Sequence, residues 1–220
     1  MIRVGLTGGI AAGKSVASRA FMDRGIRVID YDVLSREAVA PGTSGLAAIV
    51  EIFGEEILNE DGTMNRSRVA KLVFGDDDEA REQLEDIIHP RVIAEGHRID
   101  REAEREGEKI IVHAIPLLVE AAGPEAFDTV IVVDAPPEVR VSRLVESRKM
   151  DEDEAWGRIN AQTDDDVRLA AADVVFDGSG TPENLTRQVD EWLDDVLRNG
   201  LTYRSNDERA KFLATEDGVD

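Results

Sequence analysis

Apolar positions along this chain follow two alternating rhythms. Short continuous apolar runs fall at residues 2–6, 26–29, 110–115, 129–134 and 172–176. Between them, apolar residues recur at spacings of three and four. A continuous run bounded by turn signals predicts a buried strand, and the longer spacing predicts an amphipathic helix. Strands that alternate with helices predict a parallel sheet covered on both faces. Ligands bind such sheets beyond the C-terminal ends of the strands. Three of those ends carry a polar candidate: Thr7 after the first, Asp30 and Asp32 after the second, and Asp134 after the fourth.

The connection from Asp32 to Lys109 is far longer than a minimal crossover. Leu46, Ile49, Val50 and Phe53 share one helical face in it, and Leu84, Ile87 and Ile88 share another. The pattern predicts an inserted helical subdomain over residues 37–106, placed to close over a second substrate. Proline is at home in the first turn of a helix. His89-Pro90 therefore predicts a fresh helix start with His89 as its cap. Residues 137–162 read as a helix pair rich in arginine and acid, with Arg140, Arg143, Arg148 and Arg158 placed to form a lid over 137–169. Thr181 before Pro182 predicts another helix start, followed by a packing stripe of Leu185, Val189, Trp192, Leu193 and Val196. Beyond Gly200 the pattern fails, and residues 200–220 are expected to be a mobile, acidic tail. The remainder, 1–199, is one domain whose core comprises 1–36, 107–136 and 170–197.

The loop after the first strand changes the picture most. Gly8-Gly9-Ile10-Ala11-Ala12-Gly13-Lys14-Ser15 fits the phosphate-loop pattern, between a predicted strand and a helix over residues 16–24 that stops at Gly25. Glycines let the backbone N–H groups converge on an anion, and the helix N-terminus adds partial positive charge. Lys14 can reach the outer phosphates of a nucleotide, and the Ser15 hydroxyl can ligate Mg²⁺.

Composition sets limits on the partners. The 220-residue chain has no cysteine, which removes disulfides and thiolate metal sites and agrees with a cytoplasmic protein. No apolar run has the length of a membrane span, and the direct entry into the first strand gives no expectation of a signal peptide. The net charge of −21 disfavours nucleic acid and anionic membranes. It also opposes anionic nucleotides, so a nucleotide site here needs local cations and Mg²⁺.

A phosphate loop specifies a nucleoside triphosphate but not a reaction. The short chain, the position of Asp32 and the arginines after Asp134 favour a small-molecule kinase. Asp32 could accept a proton from an acceptor hydroxyl or orient Mg²⁺. Its competing role is to cap the helix expected over residues 33–39. Asp30 is the weaker candidate for the base. Arginines can spread the developing phosphoryl charge and exclude water, or simply line a solvated face. His97 and His113 give no metal-ligand spacing with His89.

A larger set of motifs narrows the choice. It comprises Leu6-Thr7-Gly8-Gly9-Ile10, Val28-Ile29-Asp30-Tyr31-Asp32 with Arg36, Arg66 with Val73-Phe74, and Leu84-Glu85 with His89-Pro90. It continues through Pro116-Leu117-Leu118-Val119-Glu120, Arg158 with Gln162, and Ala172-Asp173 with Ser179-Gly180. In this order and spacing, the set resembles the dephospho-CoA kinase family over roughly residues 1–197. The resemblance implies a phosphate-loop kinase with a five-stranded parallel sheet, a helical CoA-binding subdomain and a helical lid. It implies ATP-dependent phosphorylation of the ribose 3′-hydroxyl of dephospho-CoA, the last step of coenzyme A synthesis, with Mg²⁺ as cofactor.

By resemblance, the catalytic residues are Asp32, Lys14 and Arg143. ATP binding falls on Gly8, Gly9, Ala11, Ala12, Gly13, Lys14, Ser15, Val16, Arg143 and Arg148. Acceptor binding falls on Thr7, Asp32, His89 and Leu117, and Mg²⁺ on Ser15 with Asp32 as second candidate. The alternatives are another nucleoside or nucleotide kinase and a nucleotide-binding regulator without acceptor turnover. Five positions depart from the family pattern. Ala11-Ala12 replace Gly-Ser, Val16 replaces a threonine, Ala114 an aspartate and Gly178 an asparagine. Arg148 follows Arg143 by five residues instead of four, a rotation of about 100° on a continuous helix.

Overall fold

The computed structural model describes residues 1–73, 78–119 and 123–201. Phe74, Glu120 and residues 202–220 of the expected tail lie outside them. Five strands form one sheet in the order β2-β3-β1-β4-β5. They are β1 (Ile2–Gly8), β2 (Arg27–Asp30), β3 (Ile110–Ala114), β4 (Thr129–Asp134) and β5 (Val174–Asp177). The register runs Leu6 beside Ala114 on one side of β1 and Gly8 beside Val133 on the other, both pairings parallel. β1 thus sits between β3 and β4, and the chain order reverses about it. That is the switch point where doubly wound sheets bind ligands.

The chain forms two compact units. One comprises Met1–Val28 and the described residues from Glu108 onward, and the other lies within Ile29–Gly107. In the first, β1, β3 and β4 are buried nearly throughout. Helices α1 (Lys14–Asp23) and α9 (Pro182–Asn199) cover the sheet. Phe21, Val133, Phe176, Leu185, Val189 and Leu193 share their core. Thr181 caps α9 by accepting the Asn184 N–H, as its position before Pro182 predicts. Trp192 meets Phe21 edge to face at 5.8 Å, and Arg24 joins Asp190 and Asp194 across the helix pair. Helix α1 starts two residues before the expected Val16, and Gly25 follows it with φ 75, the left-handed stop that glycine accepts.

Between β4 and β5 lie α6 (Pro137–Arg148), α7 (Glu152–Asn160) and a third helix, α8 (Asp165–Ala170). The last was not expected from the sequence; six residues are too few for a periodic signal.

The second unit packs α2 (Tyr31–Glu37), α3 (Ser44–Phe53), α4 (Arg66–Val73) and α5 (Asp78–Arg105). Its core holds Val39, Ile49, Ile57, Val69, Val73 and Ile87. His89-Pro90 does not start a helix: Pro90 lies inside the 28-residue α5, and His89 is not its cap. Proline there cannot donate to the carbonyl four residues back. One turn is locally tied instead by the Arg91 guanidinium, which donates to the Ile87 carbonyl at 2.6 Å.

Candidate active site

The phosphate loop forms where β1 gives way to α1. Gly13 occupies the N-cap position with φ 122, a conformation glycine allows, and makes no side-chain capping bond. No acidic residue sits in the first turn of α1. A helix start without its own carboxylate leaves the positive end of the helix to an external anion. Ser15 is exposed in that first turn. With Ala11, Gly13, Val16, Arg143 and Arg148 it lines a cavity of about 440 Å³.

The segment between β4 and β5 braces this loop almost residue by residue. A Cβ at Gly9 would overlap the Arg140 guanidinium, with Arg168 Nη1 close behind at 3.4 Å. The Ile10 N–H donates to Gln162 Oε1 at 2.7 Å. Arg143 Nη1 donates to the carbonyls of Ala11 and Ala12 at 3.1 and 3.2 Å. Ile10 and Ala11 also pack on the α6–α7 core of Val141, Leu144, Ala155 and Ile159. The other guanidinium nitrogen of Arg143, Nη2, reaches the loop after β5, at 2.6 Å from the Gly178 carbonyl and 3.1 Å from that of Gly180. Arg143 thus joins both walls of the cavity. In the same loop, hydrogen bonds from the Ser179 side chain and N–H hold the Asp177 carboxyl below the usual carboxylate range, with a smaller contribution from Arg143.

The other unit has a cavity of its own, about 380 Å³, on the face that carries Asp32. Arg36, Arg66 and Arg81 line it with Glu85, and Val39, Leu84 and Ile88 supply apolar wall. The cap of α2 is Asp30, whose Oδ1 accepts from the N–H groups of Asp32 at 2.9 Å and Val33 at 3.2 Å. The expectation that Asp32 opens this helix is therefore corrected, and with it the competing explanation for Asp32. The helix starts at Tyr31, so Asp32 is in its first turn and exposed.

A dephospho-CoA kinase family profile matches residues 2–184. A relative from Cutibacterium acnes named dephospho-CoA kinase is 49% identical over 191 residues, covering 86% of this chain and 82% of that protein. One from Corynebacterium efficiens with the same name is 43% identical over 197 residues, covering 90% and 98%. The chain belongs to the dephospho-CoA kinase family. A crystal structure from Thermus thermophilus, 28% identical, superposes with a TM-score of 0.75 over 89% of this chain and 97% of that one.

Among dephospho-CoA kinases, this chain's departures now have physical descriptions. Ala11 has φ 60, a left-handed conformation that costs an alanine about 1–2 kcal/mol. Gly178 admits no side chain: a Cβ there would overlap the Ala12 carbonyl oxygen. An asparagine at that position is incompatible with this loop arrangement. Ala114 is fully buried in the sheet core. Arg148 is the last residue of α6, followed by Lys149 at φ 55. The five-residue step from Arg143 to Arg148 lies wholly within the helix, and both arginines nevertheless line the same cavity.

The acceptor-binding expectations scatter more. Thr7 is buried, and its hydroxyl donates to the Pro116 carbonyl at 3.2 Å, which anchors the loop carrying Leu117. Leu117 is 48% exposed. His89 is exposed on α5 and does not line the cavity that contains Asp32. Sequence reasoning missed the contributions of Arg168 and the Gly9-facing side of Arg140. A buried arginine reads in sequence like any arginine on a charged helix.

Proposed function

We infer that this protein transfers the γ-phosphoryl group of ATP to the ribose 3′-hydroxyl of dephospho-CoA, releasing ADP and CoA. The observation that carries this reading is the phosphate loop with Arg143 fixed between its two walls, in a chain that belongs to the family. The loop N–H groups and Lys14 bind the phosphates, and Arg143 and Arg148 counter their charge. The acceptor oxygen attacks the γ-phosphorus, the bond to the ADP oxygen breaks, and Asp32 takes the hydroxyl proton. The cavity in unit 29–107 suits dephospho-CoA chemically. Its three arginines match a diphosphate, and Val39, Leu84 and Ile88 match the less polar arm.

The Ser15 hydroxyl is a hard oxygen donor exposed at the cavity, which fits Mg²⁺. No group of three His, Cys, Asp or Glu among the described residues could hold a metal ion. Ser15, with Asp32 as second candidate, would share Mg²⁺ with the nucleotide's own oxygens. When bound, the ion supplies charge neutralisation across the outer phosphates. The cysteine-free chain fits a cytoplasmic setting, and among the described residues no helix is long and apolar enough to cross a membrane.

The test is ADP release with and without dephospho-CoA, with AMP and adenosine as alternative acceptors. ADP release should require dephospho-CoA and yield CoA. Turnover with AMP or adenosine alone would transfer the protein to another kinase class. Asp32→Asn should keep the fold and ATP binding but lower kcat by ~10²-fold or more. Asp30→Asn should change little, because asparagine caps a helix as well as aspartate does. The reverse ranking would identify Asp30 as the base.

A further inference from the structure

Arg140 and Arg168 are the two most buried cations beside the phosphate loop, 1% and 4% exposed. They share one carboxylate. Asp165 Oδ2 accepts from Arg140 Nη2, and its Oδ1 accepts from Arg168 Nη1 at 2.5 Å. Arg168 Nη2 donates to the Thr163 carbonyl at 2.8 Å. Arg140 Nε is buried and has no hydrogen-bond partner. Among the described residues, Asp165 is the only carboxylate paired with either arginine. The cluster therefore retains one net positive charge. It is pressed against Gly9, where even a methyl group would overlap Arg140.

A buried, half-compensated charge is costly. Removing one arginine would leave a neutral pair, so the second guanidinium is not needed to satisfy Asp165. A function that repays the cost is attraction of an anion, and the adjoining loop is built for one. The need is acute in a chain of net charge −21, whose overall field repels a nucleotide.

We propose that Arg140, Asp165 and Arg168 form a charge-biased positioning cluster. It holds one excess positive charge behind Gly9 and so strengthens binding of the nucleoside triphosphate in the loop. This rests on the assignment of the loop to ATP. The cluster acts through the loop's potential and requires no contact with the nucleotide. Asp165 sets the bias: it orients both guanidiniums while cancelling only one.

The cluster makes stability and affinity move in opposite directions, which a merely structural role does not. Arg140→Met keeps the volume and leaves the neutral Arg168–Asp165 pair. Its Kd for ATP should rise about tenfold and its KM for dephospho-CoA much less, while its melting temperature holds or rises. Arg168→Met, which leaves Arg140 with Asp165, should weaken ATP binding in the same direction. Asp165→Asn raises the net charge of the cluster, so ATP should bind more tightly although the melting temperature falls. If Asp165→Asn does not fold, the two methionine variants still decide. Wild-type ATP affinity in both, or affinity that falls in step with melting temperature in both, would overturn the proposal. Failure of the wild-type chain to bind ATP would instead overturn the assignment of the loop itself, and this inference with it.

Discussion

Ala11 sits in a backbone conformation that its own side chain resists, at φ 60 in the middle of the phosphate loop. Three neighbours hold it there: Arg143 on its carbonyl, the α6–α7 core on its side chain, and Gln162 on the preceding N–H. Replacement by glycine removes a steric cost of about 1–2 kcal/mol. It also adds about 0.4–1 kcal/mol of chain entropy to the unfolded state. Ala11→Gly should therefore stabilise the protein by about 0.5–1 kcal/mol, read as a higher urea midpoint at unchanged slope. A lower midpoint would mean that the methyl group's packing outweighs its strain. Asp30 and Asp32 show the limit of reading single residues. Two aspartates beside one helix start are equivalent on paper, and only the backbone decides which one caps it.

Element boundaries decided more than element types. Helix α6 ends at Arg148, so the five-residue step from Arg143 lies within it, and both arginines still line one cavity. Helix α5 runs through Pro90 instead of starting there. Apolar side chains are buried on both sides of the proline, Ile87 before it and Val92 after it. Packing along α5 outweighs a local penalty of about 3 kcal/mol. Pro90→Ala should restore a backbone donor and relieve that penalty, raising the melting temperature. If the temperature falls, the ring itself is part of the packing. The strands were legible because each is a short apolar run, and α9 because its cap and stripe agree. Helix α8 was not, since its brevity hides any period.

Charge belongs to the whole molecule. The chain carries −21, yet the cavity containing Asp32 is lined by three arginines against Asp32 and Glu85. Salt screens charges beyond a Debye length of about 8–10 Å and affects close pairs much less. The distant acidic surface should therefore lose influence first. KM for dephospho-CoA is expected to hold or fall between low and physiological salt at fixed free Mg²⁺. A steep rise would show that the cavity arginines dominate the approach of the acceptor.

The sequence by itself determined the sheet, the phosphate loop and the family. These rest on local patterns: apolar runs, a fixed glycine spacing, and a cap followed by a stripe. Only the tertiary structure decided that Gly178 must lack a side chain, and that Arg140 and Arg168 share Asp165 against Gly9. The physical reason is range. A turn or a strand is set by neighbours along the chain. The Arg140–Asp165 pair spans 25 residues and the Ile10–Gln162 bond 152, so those partners meet only when the sheet brings the loop and the helices between β4 and β5 together.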